Sequence, residues 1–385
     1  MPIARTVTKE EHHAERLRRE AIFNQIMEEL ELDAICAHSN GAMAFQAPVK
    51  FMTDLATPCG RIFAWMYRGC QPEVIVARPD TAFHCSYKTF LDPDHVEIFP
   101  DMVGELCRRI NALPGKPRIG IPNFFDWPKG AADLLLTTKG ELVDITSEFV
   151  TAKAPKAPYE LKLIRETCDL AVRSFEEVVK MIRPGLTSKD IIGFAEGYLR
   201  ANGAEATLIL TRDEKPYAFI NRPNWKILGP DDIFVYSCEI AGDGGYWTQI
   251  IRPIFLSRKS DADAYDLLCK VKEAIRAGAE KFRPGNDLAE VSVEVSRIAK
   301  KYNLREGIWA GHGMGIDLGD GINLGANEHM EIKPDMIITL HPSLLDGEDG
   351  ILYADTFQST ESDPINLTDK YTDSPYLEDL RELIH

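Results

Sequence analysis

Three side chains in the second half of the chain could carry out acid–base or nucleophilic chemistry. His312 stands in the segment GHGMG at 311–315, where the glycines let the backbone approach a ligand while the imidazole projects toward it. His341 precedes a proline in a second apolar segment, and Glu239 lies within a predicted strand. Imidazoles move protons near neutral pH, and a carboxylate activates water or attacks an electrophilic carbon. We therefore predict that His312, His341 and Glu239 are catalytic.

Further residues in the same motifs are predicted to bind substrate. They are Gln249, Tyr246, Cys238, Asp317, Asp320 and Tyr353. Neighbouring residues of a strand point to opposite faces, so Cys238 and Glu239 do not both reach one site unless a bulge intervenes. The alternatives are a buried, inert thiol at Cys238 and an ordinary salt bridge for Glu239. For Asp317 and Asp320 the alternative is a pair of surface loop carboxylates.

The first half of the chain alternates helices with apolar strands. Helices are predicted at 10–31 and 101–112, and strands at 32–37, 73–77 and 119–121. Such alternation predicts a three-layer α/β domain. A segment rich in Lys, Ala and Pro then indicates a linker. The predicted division is an N-terminal domain at 1–152, a linker at 153–158 and a catalytic domain at 159–385.

The second half contains a weak internal repeat. Two predicted helices end in Arg-Pro-Gly, at 183–185 and at 283–285, and an acidic residue (Asp190 or Asp287) then opens another apolar-striped helix. Each helix pair is followed by predicted strands. This pattern predicts a duplicated α+β domain with pseudo-twofold symmetry and a site between its halves.

Composition and charge exclude several classes of protein. Lys and Arg total 44 against 60 Asp and Glu, a net charge of −16, which disfavours nucleic acid as a partner. No apolar run is long enough for a transmembrane helix, and the first twenty residues contain no signal-peptide core. The eight cysteines form no C-x-x-C pair and are predicted to be free, mostly buried thiols. We therefore expect a cytoplasmic protein with no membrane partner.

Several motifs of the second half resemble the superfamily of creatinase, prolidase and aminopeptidase P, the pita-bread fold. The similarity is carried by Gly245-Tyr246, Arg252, the GHGMG segment, Thr339 with Pro342, and residues 353–356. The resemblance implies an α/β, creatinase-like N-terminal domain followed by an α+β pita-bread catalytic domain.

The departures from the family pattern are at its metal ligands. The metallopeptidases of the family hold two metal ions with two Asp, one His and two Glu. The matching positions here are Cys238, Gln249, His312, His341 and Ala354. Hard divalent cations need carboxylate oxygens, so this comparison predicts no dinuclear centre and no cofactor. A single-metal site built from Cys238 or Glu239 with the two histidines remains an alternative.

Within the superfamily, the resemblance is closest to metal-free creatinase-like enzymes. It implies a metal-independent hydrolase of a C–N bond, such as an amide or amidine, in a small polar substrate. Ile251 and His341 replace residues typical of creatinase, so neither creatine nor ectoine is the expected substrate. The alternatives are a lyase on the same scaffold and a catalytically dead binding protein. Arg61 matches an Arg that grips a substrate carboxylate across a dimer interface, which implies a homodimer with shared sites.

Overall fold

A computed structural model describes residues 7–39, 41, 44–55, 60–85, 91–307 and 310–384. The first six residues, Cys59 and the side chain of Cys85 lie outside this description, so the expectations that concern them are not addressed. The chain divides into two compact units, Met1–Lys153 and Ala154–His385. None of the described helices is long and apolar enough to cross a membrane.

The first unit is built on one six-stranded mixed sheet with the strand order β4-β3-β2-β1-β5-β6. Its helices are α1 (Lys9–Glu29), α2 (Ala47–Thr53), α3 (Pro79–Cys85), α4 (Met102–Ala112), α5 (Lys129–Leu135) and α6 (Thr146–Lys153). Its strands are β1 (Ala34–Ser39), β2 (Ile62–Tyr67), β3 (Glu73–Val76), β4 (Val96–Ile98), β5 (Arg118–Ile121) and β6 (Glu141–Asp144). The central strand β1 is buried along its whole length, as expected of a strand covered on both faces. The α/β prediction for this part of the chain is confirmed.

The second unit contains two helix pairs, each followed by strands. Its helices are α7 (Pro158–Met181), α8 (Ser188–Ala201), α9 (Ala262–Lys281), α10 (Ala289–Lys301) and α11 (Leu377–Ile384). The strands after the first pair are β7 (Ala206–Arg212), β8 (Ile233–Ala241) and β9 (Trp247–Phe255). Those after the second are β10 (Arg305–Glu306), β11 (Gly311–Gly313), β12 (Asn323–Leu324), β13 (Ile337–Leu340), β14 (Leu344–Asp346), β15 (Asp349–Gly350), β16 (Asp355–Gln358) and β17 (Ile365–Asn366).

The two Arg-Pro-Gly segments take matching positions in this duplicated unit. Gly185 and Gly285 both adopt positive φ, 92° and 86°, which a residue with a side chain rarely does. The amide of Gly185 donates to the carbonyl of Leu228, and that of Gly285 donates to Ile332, each at 2.9 Å. The same turn thus connects each helix pair by a hydrogen bond to the segment that follows it. The predicted pita-bread duplication is confirmed.

Six cysteines are described and all six are free thiols: Cys36, Cys70, Cys107, Cys168, Cys238 and Cys269. This confirms the free-thiol prediction for those six. Three of them are buried, two are exposed and one is intermediate, so burial is less general than predicted.

Candidate active site

Strand pairing places the three predicted catalytic residues and Gln249 on one face of the strands of the second unit. Glu239 on β8 pairs with Gln249 on β9, and His312 on β11 pairs with Thr339 on β13. Between these pairs lies β16, whose preceding residue Ala354 exchanges both backbone hydrogen bonds with Ile251 of β9.

Side chains alternate between the two faces of a strand, so this register assigns each side chain to one of two opposite faces. One carries Glu239, Gln249, Ala354, His341 and His312, and we call it the Glu239 face. The opposite face packs against helices, and we call it the helix face.

Glu239 is a buried carboxylate held between two polar neighbours. It is 6% exposed, accepts a hydrogen bond from Gln249 Nε2 at 3.1 Å, and lies 3.5 Å from the Ser237 hydroxyl, which donates to it. Burial raises the pKa of Glu239 to about 7, although the Ser237 hydroxyl acts to lower it. A carboxyl group with this pKa exchanges a proton readily at neutral pH, which suits a general acid or base.

The two histidines form a contacting pair of neutral rings. The ring centres of His312 and His341 are 5.0 Å apart in an edge-to-face arrangement. Burial lowers the pKa of His312, and burial together with the neighbouring His312 lowers the pKa of His341 to about 3. His312 Nδ1 lies 2.9 Å from the carbonyl oxygen of Gly313, and the backbone of Leu318 also forms a hydrogen bond with this ring. His341 Nε2 is buried and has no hydrogen-bond partner among the described residues.

Glycine is required where the His312 segment packs tightly. A Cβ on Gly311 would lie 2.0 Å from the carbonyl oxygen of Thr339, inside the pairing of β11 with β13. A Cβ on Gly315 would lie 2.6 Å from the Asp320 carboxylate. The carbonyl of Gly315 also accepts from the Trp247 amide at 2.7 Å, which ties this segment to the start of β9. The glycines thus fix the position of His312 relative to the β8–β9 hairpin.

Ala354 lies between the two groups of polar side chains. It lies on the Glu239 face, next to Ile251 on one side and in the strand beside His341 on the other. β13 pairs with β16, and β9 bridges to Ala354 just before β16, so at this level two strand spacings, about 10 Å, separate the Gln249 strand from the His341 strand. The methyl group of Ala354 contributes no polar atom between the two groups.

Two predicted substrate-binding residues lie elsewhere, and the structure corrects both. Cys238 is fully buried in the apolar core on the helix face, where burial raises the pKa of its thiol to about 12. Tyr246 is also fully buried, and its hydroxyl donates to Glu160 at 3.3 Å. Cys238 and Glu239 do point to opposite faces, and Glu239 is the one that lies beside Gln249.

Tyr353 and Asp320 are corrected for related reasons. Tyr353 lies one residue before Ala354, so its side chain is on the helix face, where the Arg252 guanidinium lies 4.5 Å from its ring centre. Asp320 is almost fully buried and forms an ion pair with Lys156 Nζ at 2.8 Å, so it is not available to substrate. Asp317 is also buried rather than a surface carboxylate. Arg61 is exposed in the first unit, and its predicted contact with a partner's substrate stays a prediction.

Ser237 and Thr356 were missed by the sequence reasoning. Ser237 lies two residues before Glu239, so strand alternation alone places it on the same face. Thr356 Oγ1 donates to the carbonyl oxygen of Gln249 at 2.9 Å and holds that strand in position. No local signal identifies Thr356, because the contact joins residues 107 positions apart.

The donors on the Glu239 face do not fit a pair of hard divalent cations. Glu239 is the one carboxylate of the site, Gln249 offers an amide, and Ala354 offers no donor atom. Within the described ranges, no three His, Cys, Asp or Glu side chains are grouped closely enough to hold a metal ion. Cys238 faces the other way, so it also cannot complete the alternative single-metal site. We therefore derive no catalytic step through a metal.

Known proteins similar to this chain are peptidases. Methionine aminopeptidase 1 of Bacillus subtilis is 26% identical over 210 residues, covering 49% of this chain and 80% of that protein. The Xaa-Pro dipeptidase of Pyrococcus furiosus is 23% identical over 224 residues, covering 55% of this chain and 62% of that protein. The crystal structure of X-Pro aminopeptidase from Thermotoga maritima superposes with a TM-score of 0.81 at 17% identity, covering 93% of this chain and 99% of that one.

These similarities correct the functional prediction made from the sequence. A metal-independent hydrolase of a non-peptide C–N bond was expected, and that expectation is wrong because the similar proteins are peptidases of a metallopeptidase family. Neither the lyase nor the binding-protein alternative is favoured by them. The model of metallopeptidase family M24 matches residues 162–361, more than half of the chain, so this protein belongs to metallopeptidase family M24.

Proposed function

We propose that this chain hydrolyses the amide bond of short peptides that have a free N-terminus, and that the reaction takes place on the Glu239 face. One observation carries the proposal: a buried carboxyl group whose pKa is about 7 shares this face with two neutral imidazoles. The peptidases similar to this chain support peptides as the substrate class.

The spacing of the site suits a substrate of about two residues. An extended dipeptide spans about 7 Å, and the strands of Gln249 and His341 are about 10 Å apart with Ala354 between them. Side chains from both strands therefore reach a dipeptide lying over Ala354. A longer chain would have to leave the site at one end.

The neutral histidines suit the N-terminal end of the peptide. The unpartnered Nε2 of His341 lies in the ring beside His312. In the tautomer that carries its proton on Nδ1, this nitrogen accepts from a donor group such as an α-ammonium. An ammonium bound there would also satisfy the buried His341 nitrogen, which otherwise costs free energy.

Glu239 supplies the proton transfers of hydrolysis. Its carboxylate accepts a proton from water as the water oxygen bonds to the carbonyl carbon of the peptide. The same proton then passes to the leaving nitrogen as the C–N bond breaks, so atoms and charges balance. Gln249 holds the Glu239 carboxylate through its Nε2 hydrogen bond, which fixes the direction of the transfer.

The test is a panel of dipeptides, including Xaa-Pro and Met-Xaa sequences, with released amino acids measured by mass spectrometry. The protein is assayed as purified, after chelator treatment, and with Mn²⁺ added back. We expect release from peptides with a free N-terminus and a higher KM for their N-acetylated forms. Glu239→Gln should lower kcat at least ~100-fold. Absence of release from every peptide in all three preparations would refute the proposal.

A shared-site homodimer is the second part of the proposal. The exposed Arg61 guanidinium can bind a peptide carboxylate bidentately, and in a dimer with shared sites it would do so in the partner's site. Arg61→Ala and Glu239→Gln are each expected to be inactive alone. When the two variants are co-expressed, about half of the dimers should be mixed, and each mixed dimer has one intact site of two. Activity should therefore recover to about a quarter of the wild-type value. No recovery, with both variants dimeric by sedimentation, would count against shared sites.

A further inference from the structure

A groove of about 630 Å³ lies on the helix face of the second unit, between α9 and the segment that includes β16. Its floor contains Tyr353, Asp355 and Phe357, which alternate along the chain with Ala354 and Thr356 of the Glu239 face. The sheet therefore separates this groove from the candidate active site. Its volume falls in the range of small-molecule binding sites.

The floor of the groove offers a buried hydroxyl group and an apolar surface. Tyr353 is 4% exposed, and its hydroxyl interacts with the Asp355 carboxylate but has no partner within the geometric limits of a hydrogen bond among the described residues. Asp355 is already bound by the Arg252 guanidinium and by the Thr368 hydroxyl. The side chains of Phe357 and Ile275 provide the apolar wall. A buried hydroxyl without a partner is costly, so a ligand that accepts from Tyr353 would be favoured.

Two cations of the groove make no ion pair within the described part of the chain. Lys272 Nζ lies 5.4 Å from the centre of the Tyr353 ring and donates to the carbonyl of Thr372. Arg276 lies at the exposed rim. Burial lowers the pKa of Lys272, the nearby Arg252 and Arg276 lower it further, and Cys269 and Asp355 act to raise it. Because Asp355 already pairs with Arg252, a bound anion would balance the charges of Lys272 and Arg276.

Acidic side chains are also present in the groove, and they limit the kind of anion. Asp363 is neutralised by Arg283 at 2.6 Å. Glu280 and Asp373 remain at the exposed mouth. A compact, highly charged anion would be repelled by these two carboxylates. A monocarboxylate with an apolar body carries less charge and is repelled less.

We propose that this groove binds a small monocarboxylate with an apolar body. The carboxylate lies between Lys272 and Arg276 and accepts a hydrogen bond from the Tyr353 hydroxyl, while the body packs on Phe357 and Ile275. Free amino acids and simple carboxylic acids share this chemistry. The site is independent of the proposed peptidase activity, because the sheet lies between them and binding is measured without turnover.

The test is calorimetric titration of the purified protein with three probes: 4-methylpentanoate, leucine and inorganic phosphate. We expect both carboxylates to bind and phosphate to bind at least ~10-fold more weakly. Tighter binding of leucine than of 4-methylpentanoate would identify the amino acid as the ligand, and the reverse order would identify the simple acid. Arg276→Gln is the first variant, because Arg276 is exposed and makes no ion pair with a described residue, so the fold does not depend on it.

Matched variants locate the binding. Arg276→Gln should weaken carboxylate binding ~10-fold, and Tyr353→Phe should weaken it ~3-fold. Arg297→Gln removes an exposed arginine of α10 and should leave binding unchanged. His312→Ala should also leave it unchanged, which separates this groove from the Glu239 face. Binding that is lost in His312→Ala, that survives unaltered in Arg276→Gln, or that is absent from wild type would overturn the proposal.

Discussion

Replacing Glu239 by Gln should make the protein more stable at alkaline pH, even as it removes activity. The pKa of Glu239 is about 7 in the folded protein, against 4.5 for an ordinary Glu side chain. The folded state therefore holds this proton more tightly than the unfolded state does. As pH rises from 4.5 through 7, the free energy of unfolding falls, because the folded protein must lose a proton that the unfolded chain has already released.

The size of this loss follows from the pKa difference. A shift of about 2.5 units at ~1.36 kcal/mol each gives about 3 kcal/mol of lost stability above pH 8. Glutamine cannot ionise and so avoids the loss, and its similar shape preserves the contact with Gln249. The difference in unfolding free energy between Glu239→Gln and wild type should rise by about 3 kcal/mol from pH 4.5 to pH 8.

The assay is denaturant unfolding of both proteins at half-unit pH intervals, followed by circular dichroism. Other titrating groups are common to both proteins and cancel in the difference. Glu348 is exposed, so Glu348→Gln serves as the control for the loss of a surface carboxylate. A flat difference for Glu239→Gln, or one that falls as pH rises, would refute the assignment of a raised pKa to this buried carboxyl.

Three further predictions concern single contacts. Ser237→Ala removes the hydroxyl that lowers the pKa of Glu239, so the acid limb of the pH–rate profile should move to higher pH; an unchanged limb would exclude this contact. His312→Ala should lower peptide hydrolysis at least ~100-fold with an unchanged circular dichroism spectrum, and near wild-type turnover would mean that the site is wrongly assigned. Lys156→Met leaves Asp320 buried without its cation and should cost about 3 kcal/mol in urea unfolding, whereas a loss below ~1 kcal/mol would contradict the buried ion pair.

Local motifs made the fold predictable from sequence and placed the candidate catalytic residues in a few short segments. The Gly-rich segment around His312 and the two Arg-Pro-Gly turns each span only a few residues. Neighbouring residues therefore determine their geometry. The duplicated unit followed from the spacing of those turns. Gln249, His312 and His341 occupy positions that the superfamily pattern defines, and Glu239 neighbours another of these positions, Cys238.

Strand register could not be predicted. A shift of one residue moves a side chain to the opposite face, and the sequence alone does not set the register of the β8–β9 hairpin. The observed pairing of Cys238 with Ile250 sends the thiol into the core and brings Glu239 beside Gln249. The same alternation sends Tyr353 to the helix face.

Long-range contacts and substrate class lay beyond the sequence for different reasons. The ion pair between Lys156 and Asp320 joins residues 164 positions apart, and no local pattern signals it. The prediction of a non-peptide substrate rested on the missing metal ligands. Their absence indicates which ions the site does not hold, but not which substrate it binds. Similarity to peptidases supports the proposed substrate class, which the missing metal ligands did not indicate.

The most direct test of the central claim is the pH dependence of kcat/KM for hydrolysis of an unblocked dipeptide, measured in wild type and Glu239→Gln. In wild type, kcat/KM should rise with pH through an apparent pKa of about 7, because the ionised Glu239 accepts the proton from water. In Glu239→Gln, kcat/KM should be at least ~100-fold lower and should not rise with pH through this range. A pH-independent rate between pH 5 and 9, or a variant that keeps both the rate and the limb, would contradict the assignment of Glu239 as the proton-transfer group.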